Sequence, residues 1–406
     1  MNTICRLYNS LKMRMKWCIY RLFPIDKTKI VISNYYGRGL GDNAKYIVEE
    51  LLRRQCNIKI IWLVKNEEEK KSLSDGVDGC ILGSSESVYH LMTSMVWIDN
   101  CRKYFIMLKR REQLYIQTWH GGGAQKRCEL DALDKLEYGY RKMAMRDAKN
   151  TDLMISESRF MTNLYHRSFW YDGPVYECGY PRYDILLKNN ETLVSKVYEY
   201  FNIDRRNELV LYAPTFRFDF SFKAYDIDFE RLRTNLKKRF GKEYVILVHL
   251  HPNVANIEGE IEYDGTTVIN STFYPDTQEL IAVSSMLIGD YSSINYDFSL
   301  KHMPVFRYVS DLEEYKNDRD LYFTFDEYPY PYAHNNDELE ALILNFNEQL
   351  YLKRLNSFFE KLGATMNPYS SEQIADLIVD FLNQKDKNGF FKKNKEKFIY
   401  KGEKLQ

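Results

Sequence analysis

Apolar positions along this chain fall into two interleaved rhythms. Short runs dominated by apolar and β-branched residues recur at "TKIVIS" (28–33), "IKIIWLV" (58–64), "MVWIDN" (95–100), "LYIQTW" (114–119) and "DLMIS" (152–156), and they read as strands. Between them lie segments of helical period, such as "AKYIVEELLRR" (44–54) and a long stretch at about 129–149. After a polar stretch near 186–207 the alternation restarts. "ELVLYAP", "YVILVHL", "TTVIN", "MLIGD" and "MPVFRY" are strands, with "FERLRTNLKKRF" as a helix and "SEQIADLIVDFLNQ" closing the series. Strands without polar alternation are buried on both faces, which predicts parallel sheets covered by helices. The pattern gives an α/β protein of two Rossmann-like domains, 26–187 and 188–384, facing a central cleft.

Two terminal segments fall outside that alternation. In residues 1–25, Ile4, Leu7, Tyr8, Leu11, Met15, Cys18, Ile19 and Leu22 recur at helical spacing, interleaved with Arg6, Lys12, Arg14, Lys16 and Arg21. This predicts an amphipathic basic helix, suited either to an anionic membrane surface or to packing on the adjoining domain. Residues 385–406 carry eight lysines against three acids, with Phe390, Phe391, Phe398 and Tyr400 among them. That composition predicts a solvated, mobile tail, or a second membrane-facing patch.

Composition narrows the class. The 57 basic and 57 acidic residues cancel, which argues against a general nucleic-acid binder. Seven scattered cysteines, an odd number with no CxxC pair, read as reduced thiols rather than a disulfide framework or a zinc site. No apolar run reaches the length of a transmembrane helix, and no signal peptide is expected.

In open parallel sheets ligands bind beyond the carboxyl ends of strands, so the residues following each strand are the candidates. After the first strand come Gly37-Arg38-Gly39-Leu40-Gly41-Asp42-Asn43, either a ligand-approaching loop or a plain strand–helix turn. After "LYIQTW" stands His120, followed by Gly121, Gly122 and Gly123; an imidazole suits proton abstraction from a hydroxyl near neutral pH. After "LVLY" come Thr215 and Arg217, the latter a planar fork for phosphate oxygens. His249 and His251 follow the next strand, two apart and so on one face; no cysteine or carboxylate nearby completes a zinc set. After "MLIG" come Asp290, Ser292 and Ser293, opening a helix whose free amides favour an anion. A base in one half and a phosphate-binding set in the other describe a transferase without naming its donor.

Taken in order, "QTWHGGGAQK", "GYPRYD", "LYAPTFR", "HLHPN", "DYSSINYDF" and "PVFRY" resemble the CDP-glycerol glycerophosphotransferases of teichoic acid and capsule synthesis, over about residues 28–345. The resemblance implies a GT-B type architecture. It implies a CDP-glycerol or CDP-ribitol donor held by the second domain and a polyprenyl-linked or polymeric acceptor held by the first. By position, His120 resembles the general base and His251 the histidine supporting the pyrophosphate. Ser292 and Ser293 resemble the phosphate-binding serines, while Gly121, Gly122, Thr215, Arg217, His249 and Asp290 line the substrates. The family's peripheral attachment to the cytoplasmic face of the bacterial membrane favours the membrane reading of residues 1–25. The resemblance fixes no cofactor; a divalent cation and a homo-oligomer stay open. The chain departs from the family's usual Trp-His-Gly-Thr-Pro loop, with Gly122 and Gly123 in place of Thr-Pro. A GT-B glycosyltransferase using a nucleotide sugar, and a non-catalytic membrane-peripheral scaffold, are the alternatives.

Overall fold

A computed structural model describes residues 15–103, 109–123, 125–215, 225–250, 261–313, 320–384 and 386–402. The chain divides into two compact units. Unit 1 comprises residues up to His120, Cys128–Asp184 and Tyr369 onward; unit 2 comprises Gly121–Arg127 and Ile185–Pro368.

Unit 1 is built on a seven-stranded parallel sheet of strands β1 (Asp26–Ser33), β2 (Lys59–Val64), β3 (Val77–Ile81), β4 (Ser94–Asp99), β5 (Leu114–Gln117), β6 (Leu153–Ser156) and β7 (Val175–Glu177). The spatial order is β3-β2-β1-β4-β5-β6-β7. Every residue of β4, β5 and β6 is buried, as strands covered by helices on both faces require. The helix Asp42–Arg53 follows β1 and buries Ala44, Ile47, Val48 and Leu51, one stripe at helical spacing.

Unit 2 repeats the plan with six parallel strands: β8 (Glu208–Tyr212), β9 (Tyr244–Val248), β10 (Val268–Asn270), β11 (Met286–Gly289), β12 (Val305–Tyr308) and β13 (Tyr332–Ala333). Their order is β10-β9-β8-β11-β12-β13. In both sheets the winding reverses direction beside the first strand, between β1 and β4 and between β8 and β11. Those are the switch points where doubly wound sheets open a crevice for ligands.

Several expectations change. The closing helix, Ser370–Gln384, belongs to unit 1 rather than to the second domain. It buries Ile374, Ala375, Ile378 and Phe381. The Asp184 carboxylate accepts from the amides of Ser370 (3.0 Å) and Ser371 (2.9 Å) at its amino end, which satisfies donors a helix start leaves open. The segment 129–149 is a 3-10 stretch, Glu129–Lys135, followed by a separate helix, Tyr138–Asn150.

The basic tail is docked through residue 402. Lys387–Lys393 form a helix in which Phe390 is buried, Phe398 is buried beside it, and Ile399 makes an antiparallel bridge to Val175 of β7. Lys387 pairs with Asp152 at 2.9 Å, and Lys401 pairs with Asp172. The aromatic residues therefore decide the tail's placement, and the lysines decorate its outside.

Residues 1–14 of the predicted amino-terminal helix lie outside the described residues. Residues 15–20 are helical and docked by Trp17, 2% exposed in a core with Val31, Ile61 and Leu91, and by Tyr20, whose hydroxyl meets Ser85 at 2.8 Å. The described part of the predicted apolar stripe does not pack on the domain: Met15, Ile19 and Leu22 are 58%, 49% and 85% exposed. Among the described residues no helix is long and apolar enough to cross a membrane.

Candidate active site

In unit 1 the chain after β1, the chain after β4 and the chain after β5 converge. His120 stands three residues past β5, half-buried, with its ring 4.5 Å from Trp119 and 5.2 Å from Tyr35. Its Nδ1 lies 2.7 Å from the Asn100 carbonyl. A carbonyl can only accept, so Nδ1 carries the proton and donates it. The neutral ring then presents an unprotonated Nε2, which has no hydrogen-bond partner among the described residues. Burial lowers the His120 pKa; the Asn100 hydrogen bond and Asp42 oppose that shift and Arg182 adds to it. Cys101, 3.7 Å from Nδ1, stays a thiol because burial pushes its pKa up.

The histidine is held from beneath by the loop after β1 and by residues after β4 and β7. Asn100 donates from Nδ2 to Asn34 Oδ1 and to Asp42 Oδ2, both at 2.8 Å. Arg182 Nη1 donates to Asp42 Oδ1 at 2.8 Å and to the His120 carbonyl at 3.0 Å. Asn43 Nδ2 donates to the Trp119 carbonyl at 3.1 Å. Arg182 and Asp42 are both buried, with side chains 4% and 5% exposed. The sequence carried a signal for Arg182, the "GYPRYD" segment, but no pattern couples it to Asp42, 140 residues earlier.

Backbone strain gathers in the same place. Tyr35, Tyr36, Asp42 and Trp119 all take left-handed backbone angles, with φ of 37°, 60°, 51° and 55°. Each costs free energy that the surrounding contacts must offset, and such residues cluster at functional sites. Within the Gly37–Asn43 loop, Gly37 has φ 95°, and a Cβ there would sit 2.8 Å from the Lys65 amide nitrogen. That glycine is explained by packing alone.

In unit 2 the switch point is closed by a side chain to main chain pair. Asp290, after β11, accepts from the Thr215 amide (2.7 Å) and the Thr215 hydroxyl (2.6 Å), after β8. Ser292 Oγ accepts from the Ile294 amide at 3.3 Å. Ser293 occupies the N-cap of the short helix Ile294–Ser299 without a side-chain cap bond. His249 Nδ1 donates to the Ser271 carbonyl (2.7 Å), and its Nε2 accepts from the Thr277 hydroxyl (2.9 Å), so both ring nitrogens are engaged internally. His251 and Arg217 lie outside the described residues.

The glycine loop joins this second group. Residues 121–127 pack with unit 2. A Cβ on Gly123, where φ is 67°, would lie 2.2 Å from Cγ of Tyr296 in the helix Ile294–Ser299. The Gln125 carbonyl accepts from the Tyr322 amide (3.1 Å) and the Tyr328 hydroxyl (3.2 Å), and the Arg127 amide donates to the Asp320 carbonyl at 2.9 Å. Gly121 and Gly122 thus sit between His120 and a firmly anchored segment that touches the serine-bearing helix. No predicted residue completes a metal set among those described. One cluster of ligating types, Cys80, Glu86 and His90, brings its atoms within 4.8 Å of one another in unit 1.

Residues 14–380 match the family described as CDP-Glycerol:Poly(glycerophosphate) glycerophosphotransferase. The chain is 27% identical over 362 residues to the teichoic acid poly(glycerol phosphate) polymerase of Staphylococcus epidermidis, covering 86% of this chain and 50% of that protein. It thus spans about half the length of that relative. It is 25% identical over 389 residues to the teichoic acid glycerol-phosphate transferase of Staphylococcus aureus, covering 91% and 99%. Among solved structures it is similar to the wall teichoic acid polymerase TagF, with a TM-score of 0.80, 25% identity, and coverage of 95% of this chain and 99% of that one.

Proposed function

The chain belongs to the CDP-glycerol:poly(glycerophosphate) glycerophosphotransferase family, and from that premise we propose that it transfers a phosphoalditol, glycerol phosphate or ribitol phosphate, from a CDP-alditol to a hydroxyl of a lipid-linked or polymeric acceptor. The biological setting is teichoic acid or capsular polymer synthesis. The observation that carries the reading is the tautomer of His120: with Nδ1 committed to the Asn100 carbonyl, Nε2 is the free base.

In this mechanism the acceptor hydroxyl lies at Nε2 of His120. Its oxygen attacks the β-phosphorus of the donor as Nε2 takes the proton. The new oxygen–phosphorus bond forms as the bond to the CMP phosphate breaks, and CMP leaves. Ser292, Ser293 and Arg217 contact the donor phosphates, and His251 offsets the charge growing on the leaving phosphate. Thr215 and Asp290 brace that turn against β8, and His249 holds the start of the strand-end segment carrying His251. Such chemistry is positioning plus electrostatics and needs no covalent enzyme intermediate.

The outward row of Met15, Ile19, Leu22 and Phe23, beside Lys16 and Arg21, supports a peripheral seat on an anionic membrane at its cytoplasmic face, where a polyprenyl-linked acceptor would be met. Vesicle flotation tests this: Leu22→Glu should release the protein from anionic vesicles while leaving its fold intact.

The decisive experiment incubates the purified chain with CDP-glycerol and CDP-ribitol separately, with a lipid-linked disaccharide acceptor, and weighs the products. Transfer with CMP release is expected, and His120→Ala should slow it about 10²–10⁴-fold. Release of UDP or GDP from a nucleotide sugar instead would move the assignment to glycosyl transfer. CMP release by His120→Ala at the wild-type rate would remove the base assignment.

A further inference from the structure

Arg307 is an unusual residue to find where it is. It lies in β12, opposite Gly289 of β11 in the parallel register, and so one strand over from Asp290 at the carboxyl edge of the unit 2 sheet. Its side chain is 1% exposed. Three rings surround the guanidinium, those of Phe325, Tyr328 and Tyr330, with centroids 4.8, 4.4 and 4.8 Å from Cζ. Among the described residues, the one hydrogen bond of its side chain runs from Nη2 to Oε1 of Gln125, at 3.2 Å. Among the described residues Nε and Nη1 have no hydrogen-bond partner, and neither has Nε2 of Gln125, itself 5% exposed. Two buried side chains, joined by one hydrogen bond, therefore hold three nitrogens whose N–H groups find no acceptor.

Ring faces do not balance this arrangement. Cation–π attraction is worth less than the desolvation of a guanidinium costs, and it acts on the flat faces, leaving the N–H edges unserved. Arginine cannot relieve the strain by losing its proton. No carboxylate lies within ion-pair distance of Arg307 among the described residues. Asp290 is near enough for its charge to act on Arg307, but its oxygens are engaged by Thr215 and by the Tyr291 amide. Orphaned acceptors would suit a cation or a hydroxyl-rich ligand; these orphans are all donors, and one is charged. What they lack is an anion with several oxygens.

We infer that Arg307 and Gln125 form a buried anion subsite that receives a phosphate group. Resting on the phosphotransferase reading above, this group is either a donor phosphate or a phosphodiester of the acceptor chain. The subsite sits on the loop that follows His120 and beside the turn bearing Ser292 and Ser293, so its phosphate is held at the edge of the same sheet that carries the candidate donor site. The planar guanidinium with the Gln125 amide beside it selects a tetrahedral oxyanion by shape as well as by charge.

The test uses the intact chain and three variants. Arg307→Met keeps volume and removes charge, a change that buried ions tolerate well. Arg307→Lys keeps charge and removes the fork. Gln125→Glu places an internal carboxylate against Arg307. Thermal melts with and without inorganic pyrophosphate, and titrations with CDP-glycerol, CDP-ribitol and the lipid-linked acceptor, are compared with wild type. Pyrophosphate should raise the wild-type melting temperature more than that of Arg307→Met. Gln125→Glu should melt higher than wild type without ligand, yet bind the phosphate-bearing substrate about 10- to 100-fold more weakly. Weakening confined to the CDP-alditol titration assigns the subsite to the donor; weakening confined to the acceptor assigns it there.

If Arg307→Met and Gln125→Glu fold and keep both substrate affinities within twofold, with equal pyrophosphate effects, the subsite is refuted. Wild-type protein that binds neither CDP-alditol but still shows the Arg307-dependent pyrophosphate effect would refute the donor reading and leave the subsite standing.

Discussion

Replacing Gly123 by alanine tests how the loop after His120 is held. The added Cβ would stand 2.2, 2.4 and 2.6 Å from Cγ, Cβ and Cδ2 of Tyr296, where carbon atoms prefer about 3.5–4.0 Å. The φ of 67° adds the left-handed penalty, about 1–2 kcal/mol for a residue with a Cβ. Overpacking of a buried ring adds about 1–3 kcal/mol. Together these predict a loss of about 2–5 kcal/mol in unfolding free energy, unless the loop shifts to avoid the ring. The bonds of Gln125 to Tyr322, Tyr328 and Arg307 and of Arg127 to Asp320 resist that shift. A displacement of about 1 Å would instead appear in turnover, on the order of 10²-fold. Denaturant melts and CMP release are measured together on Gly123→Ala, on Tyr296→Ala and on the double variant. Removing the ring should make the alanine at 123 cheaper by more than about 1 kcal/mol, a non-additivity expected only of touching residues. Gly139→Ala is the control: a Cβ there meets nothing within 4 Å, in the helix Tyr138–Asn150, and should stabilise by up to about 1 kcal/mol. Wild-type stability and turnover in Gly123→Ala, or additivity in the double variant, would refute the packing argument.

Other outcomes follow from the same contacts. His120 acts as a base only when neutral, so kcat/KM should rise with pH, with a midpoint below that of an ordinary histidine, because burial lowers its pKa. Asp42→Asn removes a charge that favours the imidazolium and should move that rise to lower pH; Arg182→Met removes one that opposes it and should move the rise to higher pH. Rises that move together, or not at all, would show that neither charge acts on His120. Phe390→Ala should cost about 3–5 kcal/mol and make residues 385–402 sensitive to protease, as expected for a fully buried ring; unchanged proteolysis would count against a docked tail. Thr215→Val should remove the hydroxyl that donates to the Asp290 carboxylate and weaken CDP-alditol binding more than acceptor binding, read by titration of each.

The two sheets were legible because parallel strands buried on both faces leave an unbroken apolar signature, as in "IIWLV" and "VILV". Strand β3, "VDGCI", was missed because it is mostly half-exposed, and β7 and β13 are too short to show a pattern. The return of the last helix to unit 1 depends on Asp184 capping Ser370 and Ser371, a pairing across 186 residues that no local pattern encodes. Candidate residues directly after strands could be read from the alternation itself. The roles of Asn100 and Arg182 could not, nor that of Asp42 within its loop, since they lie in the bonds that Asn100 and Arg182 each make to Asp42 rather than in position. Arg307 was hidden for a further reason: within "VFRY" it reads as an ordinary strand arginine, and only its burial with no carboxylate beside it among the described residues sets it apart.

The contact between Ile399 and Val175 carries a practical consequence. Strand β7 ends its sheet, and the main chain of Ile399 fills the hydrogen-bonding positions of Val175, with N–H···O distances of 2.8 and 2.9 Å. A bare sheet edge is a template for strands of other molecules. Shortening the chain after Gln384, as its lysine-rich sequence invites, would strip that cover and uncover the surface around Phe381 that Phe390 shields. The shortened protein should therefore be prone to self-association and precipitation, and a fusion partner is better placed beyond residue 402 than substituted for the tail.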